Sequence, residues 1–276
     1  MTYATVMVGL SIDQPNEARL EIAGQLAERF GARVIGITAA EFSPPLYFTS
    51  GEQAQKLLDQ GRAAIKNRLA ELESEFRAAM QNRVTEVEWR CAEDFPTRYI
   101  IQQARACDII VVAEASRGAL ADPFLQVSPS DLVMQAGRPL LVVPDACNWL
   151  DLRSVLVAWK DTAEARRAVS DALPLLRKST EVTVVEIVED EADRATAGSR
   201  VRDVVAWLSR HGVRASEQIP EQRGDAVTQL ERIASDVGAG VVIAGAYGHS
   251  RLSEWIFGGV TRRLISPSNR CSLLSH

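Results

Sequence analysis

The sequence is short of most features that would announce a chemistry. Its four cysteines, Cys91, Cys107, Cys147 and Cys271, form no CxxC pair and show no metal-site spacing. They read as scattered, mostly buried thiols in a reducing compartment. The three histidines, His211, His249 and His276, are too far apart in sequence to suggest a metal set, and no Cys/His or Ser/His/Asp arrangement is evident. There is no excess of positive charge: a formal net charge of −5 gives no broad pull toward nucleic acid or an anionic membrane. No apolar stretch reaches the ~20 residues of a membrane helix. The start, MTYATVMVGLS, lacks a charged region followed by a long apolar run and reads as a strand almost at once. Nucleic acid and membrane partners are therefore not expected, and the cytoplasm is the expected location.

What is present is a repeat. The 276 residues, 46% apolar and 24% charged, suffice for one large globular domain or two ordinary ones. TVMVGLS (5–11) resembles SVLVAWK (154–160), and DIIVVAEASRG (108–118) resembles GVVIAGAYGHS (240–250). The second match continues without a gap, FLQVSPSDLVMQAGRPLLVVP (124–144) aligning with IFGGVTRRLISPSNRCSLLSH (256–276). Two copies of a unit of ~140 residues, a usual domain size, are expected over 1–146 and 153–276, with DACNWLDLR (145–153) as the join.

Within each copy strands and helices alternate. Strands are expected near 4–10, 32–40, 85–91, 108–113 and 139–143, then near 154–159, 181–188, 213–218, 240–245 and 271–275. Continuous runs such as IIVV and VVIA suit strands buried on both faces of a parallel sheet. Leu58, Ile65, Leu69, Leu72, Phe76 and Met80 recur at helical spacing, as do Val201, Val204, Val205 and Leu208. The β-α order implies right-handed crossovers and a doubly wound α/β fold, in which ligands sit beyond the carboxyl ends of the strands where the strand order reverses. CSLLS, near the chain end, reads as an edge strand open to wider association.

The stretch GAYGHSRLSEWIFGGVT (245–261) lies at that position. Gly245 ends a strand, and Gly258 and Gly259 open the helical pattern VTRRLI. Backbone N–H groups in a first helical turn lack internal partners and favour an anion, and glycine removes the Cβ atoms that keep a phosphate off the backbone. Thr261 offers a hydroxyl, and His249, Ser250 and Arg251 are further donors. The competing reading is a plain strand-to-helix turn that needs glycine for its backbone alone.

This stretch resembles the Gly-x2-Gly-x9-Gly-Ser/Thr signature of universal stress proteins, and the likeness extends over nearly the whole chain, twice. It implies a five-stranded parallel sheet of order 3-2-1-4-5 in each half, flanked by helices, with the halves paired as a tandem pseudo-dimer and a homodimer of such chains as a further option. The family includes members that bind ATP and members that do not. Carried onto this sequence, the likeness assigns Gly245, Gly248, Gly258, Gly259, Val260 and Thr261 to the nucleotide, with Mg only alongside it. It departs at two places. Gly259 stands where Ser or Thr is usual, and Lys160 stands where nucleotide-binding members carry Asp. Two readings stand for Lys160, a phosphate contact or a solvated residue at a strand end. In the first copy the loop positions are Ala113, Ser116, Gln126 and Val127, Pro129 replaces Thr261, and Ser11 replaces the Asp, so that half is expected to have lost the nucleotide loop and to hold another small ligand or serve only as a partner.

The expected function is a stress-linked module that binds ATP or a related adenine nucleotide in its second half and signals to an unknown protein partner. The alternative is a dimerisation or protein-interaction module that binds no nucleotide. No general base is identifiable, so a conventional enzyme is not expected; weak ATP hydrolysis is the remaining catalytic option. Trp159, beside Lys160, could stack on a base or simply pack its strand. EFSPPLYFTSGE (41–52), carrying Tyr47 and Phe48, reads as a surface connection.

Overall fold

The computed structural model describes residues 2–43, 51–115, 122–246, 263 and 269–276. Apolar runs form the strands and amphipathic stretches form the helices between them. The first copy comprises β1 (Thr5–Gly9), α1 (Glu17–Phe30), β2 (Arg33–Ala39), α2 (Gly51–Met80), β3 (Val87–Ala92), α3 (Pro96–Gln103), β4 (Ile109–Ala113), α4 (Pro129–Gln135) and β5 (Leu140–Val143). The second comprises β6 (Ser154–Ala158), α5 (Ala163–Asp171), α6 (Leu173–Leu176), β7 (Glu181–Val185), α7 (Arg194–Arg210), β8 (Ala215–Gln218), α8 (Ala226–Asp236), β9 (Val241–Gly245) and β10 (Cys271–Ser275). All ten expected strands form. The largest overreach is 181–188, which ends at Val185.

The strands make one ten-stranded sheet in the order β3-β2-β1-β4-β5-β10-β9-β6-β7-β8. Each copy is parallel throughout with the order 3-2-1-4-5. The copies meet at an antiparallel seam, where Leu140, Leu141 and Val142 of β5 face Leu274, Leu273 and Ser272 of β10. This corrects the reading of CSLLS as a sheet edge: β10 lies at the centre. All five of its residues are buried, and β5 takes up the row of N–H and C=O groups that an edge would leave open. Among the described residues the edges are β3 and β8, whose side chains are mostly half-exposed or exposed.

Period-two alternation divides each strand between two apolar layers. Val6, Val8, Leu141, Val155, Val157 and Leu273 fall in one cluster. Met7, Ile110, Leu156, Val242 and Leu274 fall in another on the opposite face. Both clusters contain residues of both copies, so the cores run through the seam. Helix α2 buries Ile65, Leu69, Leu72, Phe76 and Met80, while Leu58, expected on that face, is only half-buried. Helix α7 buries Val201 and Leu208 and half-buries Val204 and Val205. No helix among the described residues is long and apolar enough to cross a membrane.

The connection from β5 to β6, residues 144–153, is tied down by α1. Buried Gln25 donates through Nε2 to the Asn148 carbonyl (2.9 Å) and accepts the Leu150 N–H (2.8 Å). The Arg29 guanidinium lies 5.2 Å from the ring centre of the exposed Trp149.

Candidate functional site

In a doubly wound sheet the loops at the carboxyl ends of the strands form the crevice for ligands, at the reversal of strand order. In the second copy that reversal lies between β6 and β9, which pair from Val155–Val241 to Ala158–Ala244. Gly245 is therefore next to the end of β6, and Lys160 follows that end by two residues. The structure brings these two predicted site residues to one rim. Gly248, His249, Gly258, Gly259, Val260 and Thr261 lie outside the described residues, as do Ser116, Tyr47 and Phe48.

Gly245 has a packing role of its own. A Cβ there would lie 2.5 Å from the Ala165 nitrogen and 2.7 Å from the Glu164 carbonyl carbon, so the first turn of α5 can press on β9 only because this residue is glycine. That turn is capped by Thr162, whose Oγ1 accepts the Ala165 N–H at 3.3 Å. The Thr162 N–H in turn reaches the Lys160 carbonyl at 2.7 Å. A tight Lys-Asp-Thr turn thus carries the chain from strand to helix.

Lys160 is exposed at the tip of this turn. Partial burial lowers its pKa, while the charges of Glu189 and Glu186 act in the opposite direction. Glu186, just beyond β7, is buried, and Arg200 of α7 donates to its Oε1 through Nη2. Its other oxygen, Oε2, is enclosed without a hydrogen-bond partner among the described residues. The ion pair raises the Arg200 pKa, the hydrogen bond to Glu186 being the main cause. Glu164, in the first turn of α5 beside Gly245, is likewise buried, with its Oε2 unpartnered among the described residues. His276 Nδ1–H donates to the Ala246 carbonyl at 2.9 Å, at the point where the glycine stretch leaves β9.

Among the described residues, this rim carries Lys160, the enclosed carboxylates of Glu186 and Glu164, Arg200 paired with Glu186, and the His276 imidazole. Sequence reading missed Glu186, Glu164 and His276. Glu186 stands just past the end of an apolar run, VTVVE, where a buried carboxylate needs a cation, and that position was the available signal. Trp159 is buried in the core, its backbone N–H bonded to the Val185 carbonyl at 2.8 Å, so strand packing accounts for it. His211 lies at the far end of α7, against Arg177 and the Trp207 ring. No group of three or more potential metal-ligating side chains occurs among the described residues.

The equivalent rim of the first copy is closed by its own side chains. Ser11 donates through Oγ to Asp13 (2.7 Å), and Gln126, at a loop-glycine position, reaches across to the other Asp13 oxygen (2.8 Å). Ile12, Phe42 and Leu125 pack on Ala40, Ile65 and Leu69 beyond the end of β2. Phe124 stacks on Phe95 with ring centres 5.0 Å apart, and its carbonyl accepts the Glu41 N–H at 3.0 Å. Pro129 is the first residue of α4, whose cap is Ser128. Ala113 ends β4, and Val127 packs half-buried against the core. Beneath them the buried Arg19 donates to the carbonyls of Gly9 (3.1 Å) and Pro15. Burial lowers its pKa to about 10, opposed by Asp145, Asp13 and Glu17.

A ten-stranded sheet of two 3-2-1-4-5 units, flanked by helices, defines a tandem doubly wound protein of the α/β class. The sequence model of the universal stress protein family matches residues 2–144, just over half of the chain, which belongs to that family. The match falls on the copy without the glycine stretch. Among solved structures, a universal stress protein from Archaeoglobus fulgidus DSM 4304 shares the fold with a TM-score of 0.67 at 15% identity, over 98% of this chain and 95% of that one. A functionally unknown protein from Pseudomonas aeruginosa PAO1 aligns with a TM-score of 0.59 at 16% identity, over 99% and 92% of the two chains. No curated protein matches the sequence.

Proposed function

We propose that the second copy binds ATP or a related adenine nucleotide at the carboxyl ends of β6 and β9, and that the protein acts through this binding as a stress-linked signalling module. The observation that supports this reading is the setting of Gly245. It ends β9 beside β6, at the reversal of strand order, and the sequence that follows has the spacing Gly-x2-Gly-x9-Gly-Gly-x-Thr. Gly248, His249, Gly258, Gly259, Val260 and Thr261 would supply backbone and hydroxyl donors to the phosphates. Lys160 would add positive charge, and Mg would enter only with the nucleotide. The reading assigns no catalytic step. The two carboxylates at this rim are enclosed, and Glu186 is held by Arg200. Residues 1–146 would form a partner domain for the ligand-carrying 153–276, with further pairing of whole chains as a homodimer.

Equilibrium titration with ATP, ADP and AMP tests it, beside a Gly248→Arg variant. Saturable binding to the parent protein, weakened at least tenfold in the variant, is the expected result. No binding at millimolar nucleotide would rule it out. One observation favours the second reading, a protein-interaction module without nucleotide: the first copy has already closed its rim with Gln126, Leu125 and Phe42. That reading predicts stable complexes with other proteins that nucleotide leaves unchanged.

A further inference from the structure

The two thiols at the seam have no part in nucleotide binding. Cys147 lies in the connection from β5 to β6, and Cys271 opens β10. They are 124 residues apart in sequence, yet their sulfurs are 3.5 Å apart. Because β5 and β10 run antiparallel, the end of one lies beside the start of the other, and the fold itself sets this pair. It therefore sits on the rim opposite the glycine stretch.

The two sulfurs are unequal. Cys271 is buried, whereas Cys147 is half-exposed and open to a small reagent. The hydrogen bond with Cys271 is the main cause that lowers the Cys147 pKa to about 7; a backbone hydrogen bond at Trp149 acts the same way, and burial opposes both. As a thiol, Cys147 donates to the Trp149 carbonyl at 3.5 Å. The hydrogen bond with Cys147, and after it burial, raise the Cys271 pKa. A reactive thiol needs thiolate character and access, and a resolving thiol needs proximity. The pair divides these roles.

We propose that Cys147 and Cys271 are a peroxide-responsive dithiol, in which Cys147 is the attacking thiol and Cys271 the resolving one. The Cys147 thiolate attacks one oxygen of a hydroperoxide. The O–O bond breaks, an S–O bond forms, and the second oxygen leaves as hydroxide or alkoxide and takes up a proton. The Cys147 sulfur is oxidised by two electrons to a sulfenic acid, and the peroxide is reduced. The Cys271 sulfur then attacks that of Cys147. The S–S bond forms, the S–O bond breaks, and the departing oxygen takes the Cys271 proton and leaves as water. A thiol reductant reverses the change.

Closing the sulfurs from contact to a bond of about 2.05 Å requires an approach of roughly 1.5 Å. Strand β10 is held by β5 and β9 on either side, so the connection moves. The Cys147 N–H is bonded to the Pro144 carbonyl at 2.9 Å, and Gln25 grips Asn148 and Leu150 just beyond. Oxidation thus draws a clamped segment onto the seam strand and alters the contact between the copies.

The test treats the reduced full-length chain with a few equivalents of hydrogen peroxide, counts thiols after denaturation and maps disulfides in an unreduced digest. The expected result is a fall from the four thiols of the sequence to two, with one peptide pair joining Cys147 to Cys271. Cys91→Ser should still form the link. Cys147→Ser should leave Cys271 reduced, and because Cys147 is half-exposed this variant should fold. In the parent, the rate of oxidation should rise as pH passes through about 7. Cys147 ending as sulfinic acid with Cys271 still free would overturn the proposal, and so would disulfides between chains through the exposed Cys91, or no loss of thiol at all.

Discussion

At the scale of single residues, two glycines of one motif can be tested for separate effects. Gly245→Ala drives a Cβ into the backbone of α5, and overpacking of this kind costs about 1–3 kcal/mol. Its unfolding free energy from urea titration should fall by that amount, with the midpoint lowered accordingly. Under the proposed function, Gly248→Arg should instead weaken nucleotide binding at least tenfold, measured by titration. The glycine spacing was legible in the sequence, but the reason Gly245 must be glycine was not, since Ala165 meets it only after the sheet has formed. Glu186 and Arg200 were similarly hidden. They stand on different elements, and the ion pair exists because the start of α7 is laid across the end of β7.

At the scale of elements, Arg83 joins the turn after α2 to α1. Its guanidinium lies over Gly24, where a Cβ would come within 2.6 Å, and it binds Glu21 and Glu28. The Arg83 hydrogen bond holds the Glu21 carboxyl below its ordinary value of 4.5. A carboxylate shifted down contributes stability that is complete above 4.5 and lost as pH falls through its depressed value. Arg83→Met should therefore be less stable than the parent near neutrality, by no more than about 1 kcal/mol because the pair is partly exposed. Denaturation at a series of pH values should show the gap closing below 4.5. Gln25→Ala should cost more, about 1–3 kcal/mol in denaturant melts, because the buried Leu150 N–H loses its acceptor. Strands and helices were readable at this scale because Val/Ile runs and helical stripes are local signals. The seam was not. A five-residue apolar strand such as CSLLS looks the same at an edge and at a centre, and its partner, Leu140–Val143, lies over a hundred residues away.

At the scale of the molecule, both apolar layers cross the seam, so the two copies should unfold together. Leu273→Ala removes a fully buried side chain from the seam, a change that costs about 2–5 kcal/mol. It should lower the midpoint of a single transition, observed alike by circular dichroism and by hydrogen exchange in either copy. The duplication was legible as paired motifs. The closure of the first rim was foreshadowed by Gln126 and Pro129, but the plug of Ile12, Phe42 and Leu125 gathers residues from three separate segments that no local pattern connects.

The antiparallel seam also decides where the chain's extremities lie. The start of β1 and the end of β10 share one rim, with only β4 and β5 between them, three strand spacings or about 14 Å. Asp171 ties them together: its carbonyl accepts the Tyr3 hydroxyl at 2.7 Å and its carboxylate the Ser275 hydroxyl at 2.9 Å. Circular permutation is therefore open to this fold. A short linker from His276 back to Thr2, with new ends cut near the exposed Trp149, would reverse the order of the copies in the gene and leave every strand pairing as it is.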